Sequence, residues 1–145
     1  MTSEAIEKSV LLKAPPARVW AFLTEPDLLG RWFHPSDRAL TEPGPYVFWK
    51  NAETEGQRHC WGEVLEVEPG RRLVYTFTHE WLGGHPTRVE WSLEAVGEGT
   101  RLRLVHDGFA GAPVDSFDSL FGHDEGWGEH LTTLRNRVGV PETVA

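Results

Sequence analysis

Apolar and polar positions alternate with a period of two over most of the chain, and helical spacing replaces that alternation in two places. Ile6–Leu12 reads as a strand. From 14 to 33 the pattern becomes that of two short amphipathic helices. Pro15 and Pro16 open the first, because a first-turn N–H has no helical partner to lose, and Val19, Phe22 and Leu23 then share one face. Pro26 ends it and starts the second, whose apolar side is Leu28, Leu29, Trp32 and Phe33 and which Pro35 stops. Period two then returns, predicting strands over 46–50, 61–68, 72–80, 87–95 and 100–107. Turns at Pro43-Gly44-Pro45, Pro69-Gly70 and Gly97-Glu98-Gly99 separate them.

The alternation assigns faces. Val89, Trp91 and Leu93 oppose Arg88, Glu90, Ser92 and Glu94, and Leu102, Leu104 and His106 oppose Arg101 and Arg103. In the neighbouring hairpin the apolar parity is read as Trp61, Glu63, Leu65, Val67 on one strand and Leu73, Tyr75, Phe77, His79 on the other, which brings a carboxylate and an imidazole inward. Glu63 and His106 are therefore expected to approach the same region. A slip of one residue would invert every face.

The segment 115–138 predicts a long helix that covers the dry face, with Leu120, Trp127, Leu131, Leu134 and Val138 in one stripe and His123 and Asp124 beside it. Gly122, Gly126 and Gly128 each cost a helix interior about 0.8–1.0 kcal/mol relative to alanine, so close packing or local mobility must account for them. The order strand, two helices, strands, long helix is an α+β plan: a curved antiparallel sheet of about six strands wrapped around the last helix, enclosing a cavity. The glycines of 108–128, together with 81–86, are the expected entrance.

Length adds one expectation: 145 residues fit a single domain spanning 1–145, able to bury about 68–70% of the surface of its unfolded chain. A net charge of −8 disfavours nucleic acid and anionic membrane surfaces as partners. One cysteine, Cys60, excludes an internal disulfide and fits a reducing, cytoplasmic setting, and no apolar run approaches the roughly 18 residues of a membrane span.

Candidate chemistry is limited. Glu63, His79, His106, His123 and Asp124 are the groups able to act as acid and base in an apolar pocket. Metal binding has no sequence support: His123 and His130 share a helix face but lie roughly 10.5 Å apart along the axis, too far for one zinc, and no His-Glu-x-x-His element occurs. Cys60 has no activating neighbour beyond His59, and no glycine-rich phosphate loop is present, so no cofactor is expected. Trp61, Trp91 and Trp127 lie on faces directed at the cavity, as either ligand walls or core filler.

The helix pair ending in Arg31-Trp32-Phe33, the run from Gly62 to Pro69, Arg72-Leu73-Val74-Tyr75-Thr76-Phe77, Gly99-Thr100-Arg101-Leu102-Arg103-Leu104 with His106-Asp107-Gly108-Phe109, and Gly126-Trp127 together resemble the AHSA-type (activator of heat-shock protein ATPase homologue) branch of the START-like, or SRPBCC, superfamily. The resemblance covers nearly the whole chain and implies a helix-grip fold with a hydrophobic cavity. Its members include lipid and hormone binders, aromatic polyketide cyclases and a domain of a chaperone activator, so it does not choose a function.

The resulting expectation is a binder of a hydrophobic or aromatic small molecule. Trp61, Tyr75, Phe77, Trp91 and Trp127 are its walls, and Glu63, His79, His106 and His123 its polar anchors. A cyclase- or hydrolase-like enzyme using those groups, and a protein-binding module with a chaperone or homodimer partner, stand as alternatives.

Overall fold

The structure, a computed structural model, describes residues 5–139. Seven-residue strand β1 (Ile6–Leu12) leads into helices α1 (Pro16–Thr24) and α2 (Pro26–Leu29). Strands β2 (Gly44–Trp49), β3 (Arg58–Glu68), β4 (Arg72–Phe77), β5 (Thr87–Val96) and β6 (Gly99–Asp107) follow, and helix α3 (Ser116–Val138) closes the order. The six strands form one antiparallel sheet in the order β1-β6-β5-β4-β3-β2: strands β2 to β6 run as a meander and β1 pairs with β6, which brings the first and last strands together. Helix α3 buries Trp127, Leu131, Leu134 and Val138 on the sheet side. Asp115 caps it, its carboxylate accepting from the N–H groups of Phe117 and Asp118, while Arg135 and Arg137 suit the negative end of the helix dipole.

Helix α2 is a single turn, shorter than the apolar spacing predicts. The chain turns after Leu29, which carries Trp32 into the core, where its indole N–H donates to the carbonyl of Phe22 at 2.8 Å. The arginine at 38 holds the following loop by donating to the carbonyls of Pro45, Glu42 and Gly44.

The space between sheet and helix is filled rather than hollow. Tyr46, Tyr75 and Trp91 are buried there, Trp91 donating its N–H to the Tyr75 hydroxyl at 2.9 Å and Tyr46 donating to the Thr76 carbonyl at 2.7 Å. Trp91 meets Trp32 and Trp127 edge-on, at 5.9 and 5.4 Å between centroids, the arrangement that the ring quadrupoles favour.

Strand β3 departs from the expected register. Val64 pairs with Tyr75 but Glu66 with Val74, and Phe48 pairs with Cys60 but Trp49 with Arg58, so Leu65 and His59 are extra residues at two bulges. Between the bulges the inward residues are Cys60 and Val64, and only beyond the second does Val67 turn inward. Glu63 is consequently exposed on the outer face and does not approach His106, contrary to the period-two reading. Trp61 lies on the same outer side, under the Arg58 guanidinium at 3.7 Å.

Candidate binding cleft

At one end of the sheet a cleft of about 230 Å³ opens between the start of β3, the residues after β4, the turn after α2 and the middle of α3. Its walls are the rings of Phe33, Phe77, Trp81 and Trp127 and five imidazoles, those of His34, His59, His79, His123 and His130. Cys60, Gly122 and Gly126 complete the lining, and no carboxylate belongs to it. A larger hollow of about 560 Å³ beside the end of α3, lined by Lys13, Thr100 and Arg135 among others, has no aromatic ring to recognise a ligand.

Three backbone features deliver these side chains. The bulge at His59 lets His59 and Cys60, adjacent in sequence, both line the cleft. A short 3-10 turn, Glu80–Leu82, ends on Gly83 at φ 64° and presents Trp81, about half exposed, over α3. The indole lies against Gly122, where a Cβ would sit only 3.0 Å from its outer edge, so close packing accounts for that glycine. Beyond the helix's own neighbouring backbone, a Cβ at Gly126 would meet nothing within 4 Å: its missing side chain is cleft space.

Hydrogen bonds fix how each imidazole carries its proton. The Trp127 indole N–H can only donate, and it reaches His106 Nδ1 at 2.9 Å. His106 therefore holds its proton on Nε2 and donates to Thr87 Oγ1 at 2.7 Å, while the Thr87 hydroxyl donates to the Phe77 carbonyl at 2.5 Å. This relay is wholly buried behind Trp127. In front of it, His123 donates from Nδ1 to the Ser119 carbonyl at 2.6 Å, which leaves its Nε2 to accept from His79 Nε2–H at 2.9 Å. His130 and His34 donate from Nδ1 to the carbonyls of Trp32 and Lys50 at 3.1 and 3.0 Å.

Burial holds all these rings in the neutral form, because a low-dielectric surrounding penalises the charged one. It pushes His34 down to about 4, with help from His59 and His130, and His79 down to about 4, with help from His123 and His59. His106 is driven well below its ordinary value by burial and then by His123 and His79; His59, His123 and His130 are lowered by burial as well. Burial raises the Cys60 thiol to about 12, which keeps it in the protonated thiol form near neutral pH.

Of the residues expected from sequence, Phe77, His79, His123 and Trp127 meet in the cleft. His106 stands one layer behind it, Tyr75 and Trp91 belong to the packed core, and Trp61 and Glu63 are on the outer face. Asp124 points away and pairs with Lys8 at 3.1 Å. Three imidazoles were missed: His34, His59 and His130. The last was legible, since His123, Trp127 and His130 recur at the i, i+4, i+7 spacing of one helix face.

A family model described as "Activator of Hsp90 ATPase homolog 1-like protein" matches residues 13–139. Among solved structures, CalU16 from Micromonospora echinospora is 28% identical with a TM-score of 0.74, over 95% of this chain and 77% of its own. MLL2253 from Mesorhizobium loti is 23% identical with a TM-score of 0.76, over 91% of this chain and 94% of its own. An Aha1 dimer from Colwellia psychrerythraea is 18% identical with a TM-score of 0.72, over 98% and 99%. The last two likenesses concern the fold alone. No curated protein matches the chain by sequence. No helix among the described residues is long and apolar enough to cross a membrane. With its two short helices after the first strand, six-stranded antiparallel sheet and covering C-terminal helix, this chain belongs to the Activator of Hsp90 ATPase homolog 1-like family, on the START-like helix-grip fold.

Proposed function

We propose that this protein binds a small aromatic molecule in the cleft beside α3. The observation that carries the reading is the composition of the walls: four aromatic rings and five imidazoles around a space kept open by Gly126, with neither a lysine nor a carboxylate among them. Apolar clefts with a few convergent polar groups are the usual form of small-molecule sites. At about 230 Å³ the space lies below the usual range of roughly 300–1,000 Å³, which suits a one- or two-ring ligand better than a lipid.

Gly126 supplies the test. Gly126→Ala places a methyl in open space and removes a helix-interior glycine, so it should stabilise the protein by about 0.5–1 kcal/mol. Gly126→Leu fills the cleft. Saturable quenching of tryptophan fluorescence by a panel of one- and two-ring aromatics is expected in the wild type and is lost in Gly126→Leu, with the fold intact by circular dichroism. Absence of saturable binding across the panel, or equal binding by both proteins, rejects the cleft as the site.

A second reading, a protein-binding module of the Hsp90-regulator kind, draws on the family description and on the Aha1 likeness. One observation favours it: Phe117 and Phe121 stack on each other at 5.8 Å while both remain exposed on the first turns of α3. Serine at both positions would abolish partner binding under this reading and leave small-molecule binding unchanged.

A further inference from the structure

We propose that the cleft selects aromatic ligands that donate a hydrogen bond, phenols and ring N–H compounds, over their methylated and carboxylate counterparts. This rests on the reading that the cleft binds an aromatic small molecule, and it follows from where the protons are. A carbonyl oxygen can only accept, so the contacts of His34 with Lys50 and of His130 with Trp32 fix the proton on Nδ1 of each ring. Both Nε2 atoms are then lone pairs. The same logic passes along the pair in front of Trp127: His123 Nε2 accepts from His79, which leaves His79 Nδ1 as a third lone pair.

Among the described residues none of these three nitrogens has a hydrogen-bond partner. Among the described residues the only buried, unpartnered side-chain polar atoms are Thr78 Oγ1 and Ser119 Oγ, so the three lone pairs reach accessible space. Donors are scarce on the same walls. The Trp127 N–H is committed to His106, and the outer benzene edge of Trp81, not its N–H, faces α3 at Gly122. The thiol of Cys60 is a weak donor, and only His59, whose ring makes no hydrogen bond among the described residues, is free to present either ring nitrogen. Burial keeps the rings neutral near pH 7, so the lone pairs are not converted to donors there.

A ligand hydroxyl or N–H therefore finds acceptors ready-made. A methyl ether of the same shape leaves them unpaired in a partly desolvated site, and a carboxylate meets them lone pair to lone pair. The test is a matched series, 2-naphthol, 2-methoxynaphthalene and 2-naphthoate, titrated by tryptophan quenching and calorimetry at pH 7.5. Naphthol is expected to bind at least 10-fold more tightly than either counterpart. In His34→Phe/His130→Phe, checked for folding by circular dichroism, the preference over the ether should shrink to less than about 3-fold. If that variant does not fold, the single variants His34→Gln and His130→Gln, which each replace an imidazole by a side chain able to donate, should reduce the preference separately.

The failures are distinguishable. Equal binding of naphthol and its ether, tighter binding of the carboxylate, or an undiminished preference in the folded variants overturns the selectivity and leaves the cleft reading standing. If none of the three compounds binds, while other aromatics of the panel do so in a Gly126→Leu-sensitive way, the selectivity alone is overturned. If no aromatic binds at all, both readings fall.

Discussion

Alanine in place of His106 lowers unfolding stability by about 3–5 kcal/mol. The ring is fully buried and joins three elements: it accepts from Trp127 on α3, donates to Thr87 on β5, and through the Thr87 hydroxyl is tied to the Phe77 carbonyl at the end of β4. Truncation leaves a cavity of the kind that costs about 2–5 kcal/mol, and it orphans the Trp127 N–H, a further 1–3 kcal/mol when a donor stays buried without an acceptor; partial collapse of the site takes back some of that sum. Urea unfolding measures the loss. Trp127→Phe removes the donor, so the double variant should be less destabilised than the sum of the singles by about 1–2 kcal/mol. Strict additivity would show that the Trp127–His106 bond contributes nothing, and the relay would then be a coincidence of packing.

That relay was half-visible in the sequence. Strands β4, β5 and β6 are regular, so alternation alone places Tyr75, Phe77, Val89, Trp91, Leu104 and His106 inward, as the register pairs Leu73 with Trp91 and Trp91 with Leu104 require. What alternation cannot supply is depth along the inner face. His106, Tyr75 and Trp91 share the parity of Phe77, yet they lie under the covering helix whereas Phe77 reaches the cleft, and that difference is set by where α3 crosses the sheet.

Strand β3 misled for a different reason. A bulge changes parity without changing composition, so Trp61, Glu63 and Leu65 kept the look of an inward set while two extra residues rotated the strand between them. The even set, Cys60 and Val64 with Gly62 between them, held a counter-signal in its small and apolar residues. Gly62 in particular has no room for a side chain: a Cβ there would fall 2.0 Å from the Thr76 carbonyl oxygen. The imidazoles of His34, His59 and His130 converge from a turn, a bulge and a helix, and only the last of these has a periodicity that sequence can display.

Acid should unfold this protein at a higher pH than its carboxylates alone would dictate. An ordinary histidine titrates near 6.5, and His34 and His79 are held to about 4 in the fold, with His106 well below its ordinary value. Each of these pKa values is depressed on folding, so the unfolded chain binds more protons as pH falls below 6.5. Stability is therefore fully present above about 6.5, is lost through the interval down to 4, and levels off below it once the folded rings also protonate. Two such rings imply a slope on the order of 2 kcal/mol per pH unit near pH 5 after allowance for their partial exposure, and the buried His106 steepens it. Two other effects compete. Acid also discharges part of the net −8, which relieves self-repulsion, but surface charges are screened over about 8–10 Å and the gain is smaller. The Arg72–Glu90 pair on the outer face, where Arg72 lowers the Glu90 carboxyl, is lost only below the ordinary carboxylate range. Urea midpoints measured from pH 8 to 4 should thus fall steeply between 6.5 and 4, and His34→Gln/His79→Gln should flatten that limb while leaving the plateau above pH 7 in place. A profile level from pH 7.5 to 4.5 would mean that the imidazoles titrate as they do in water, and that the fold does not exclude solvent from them as their depressed values require.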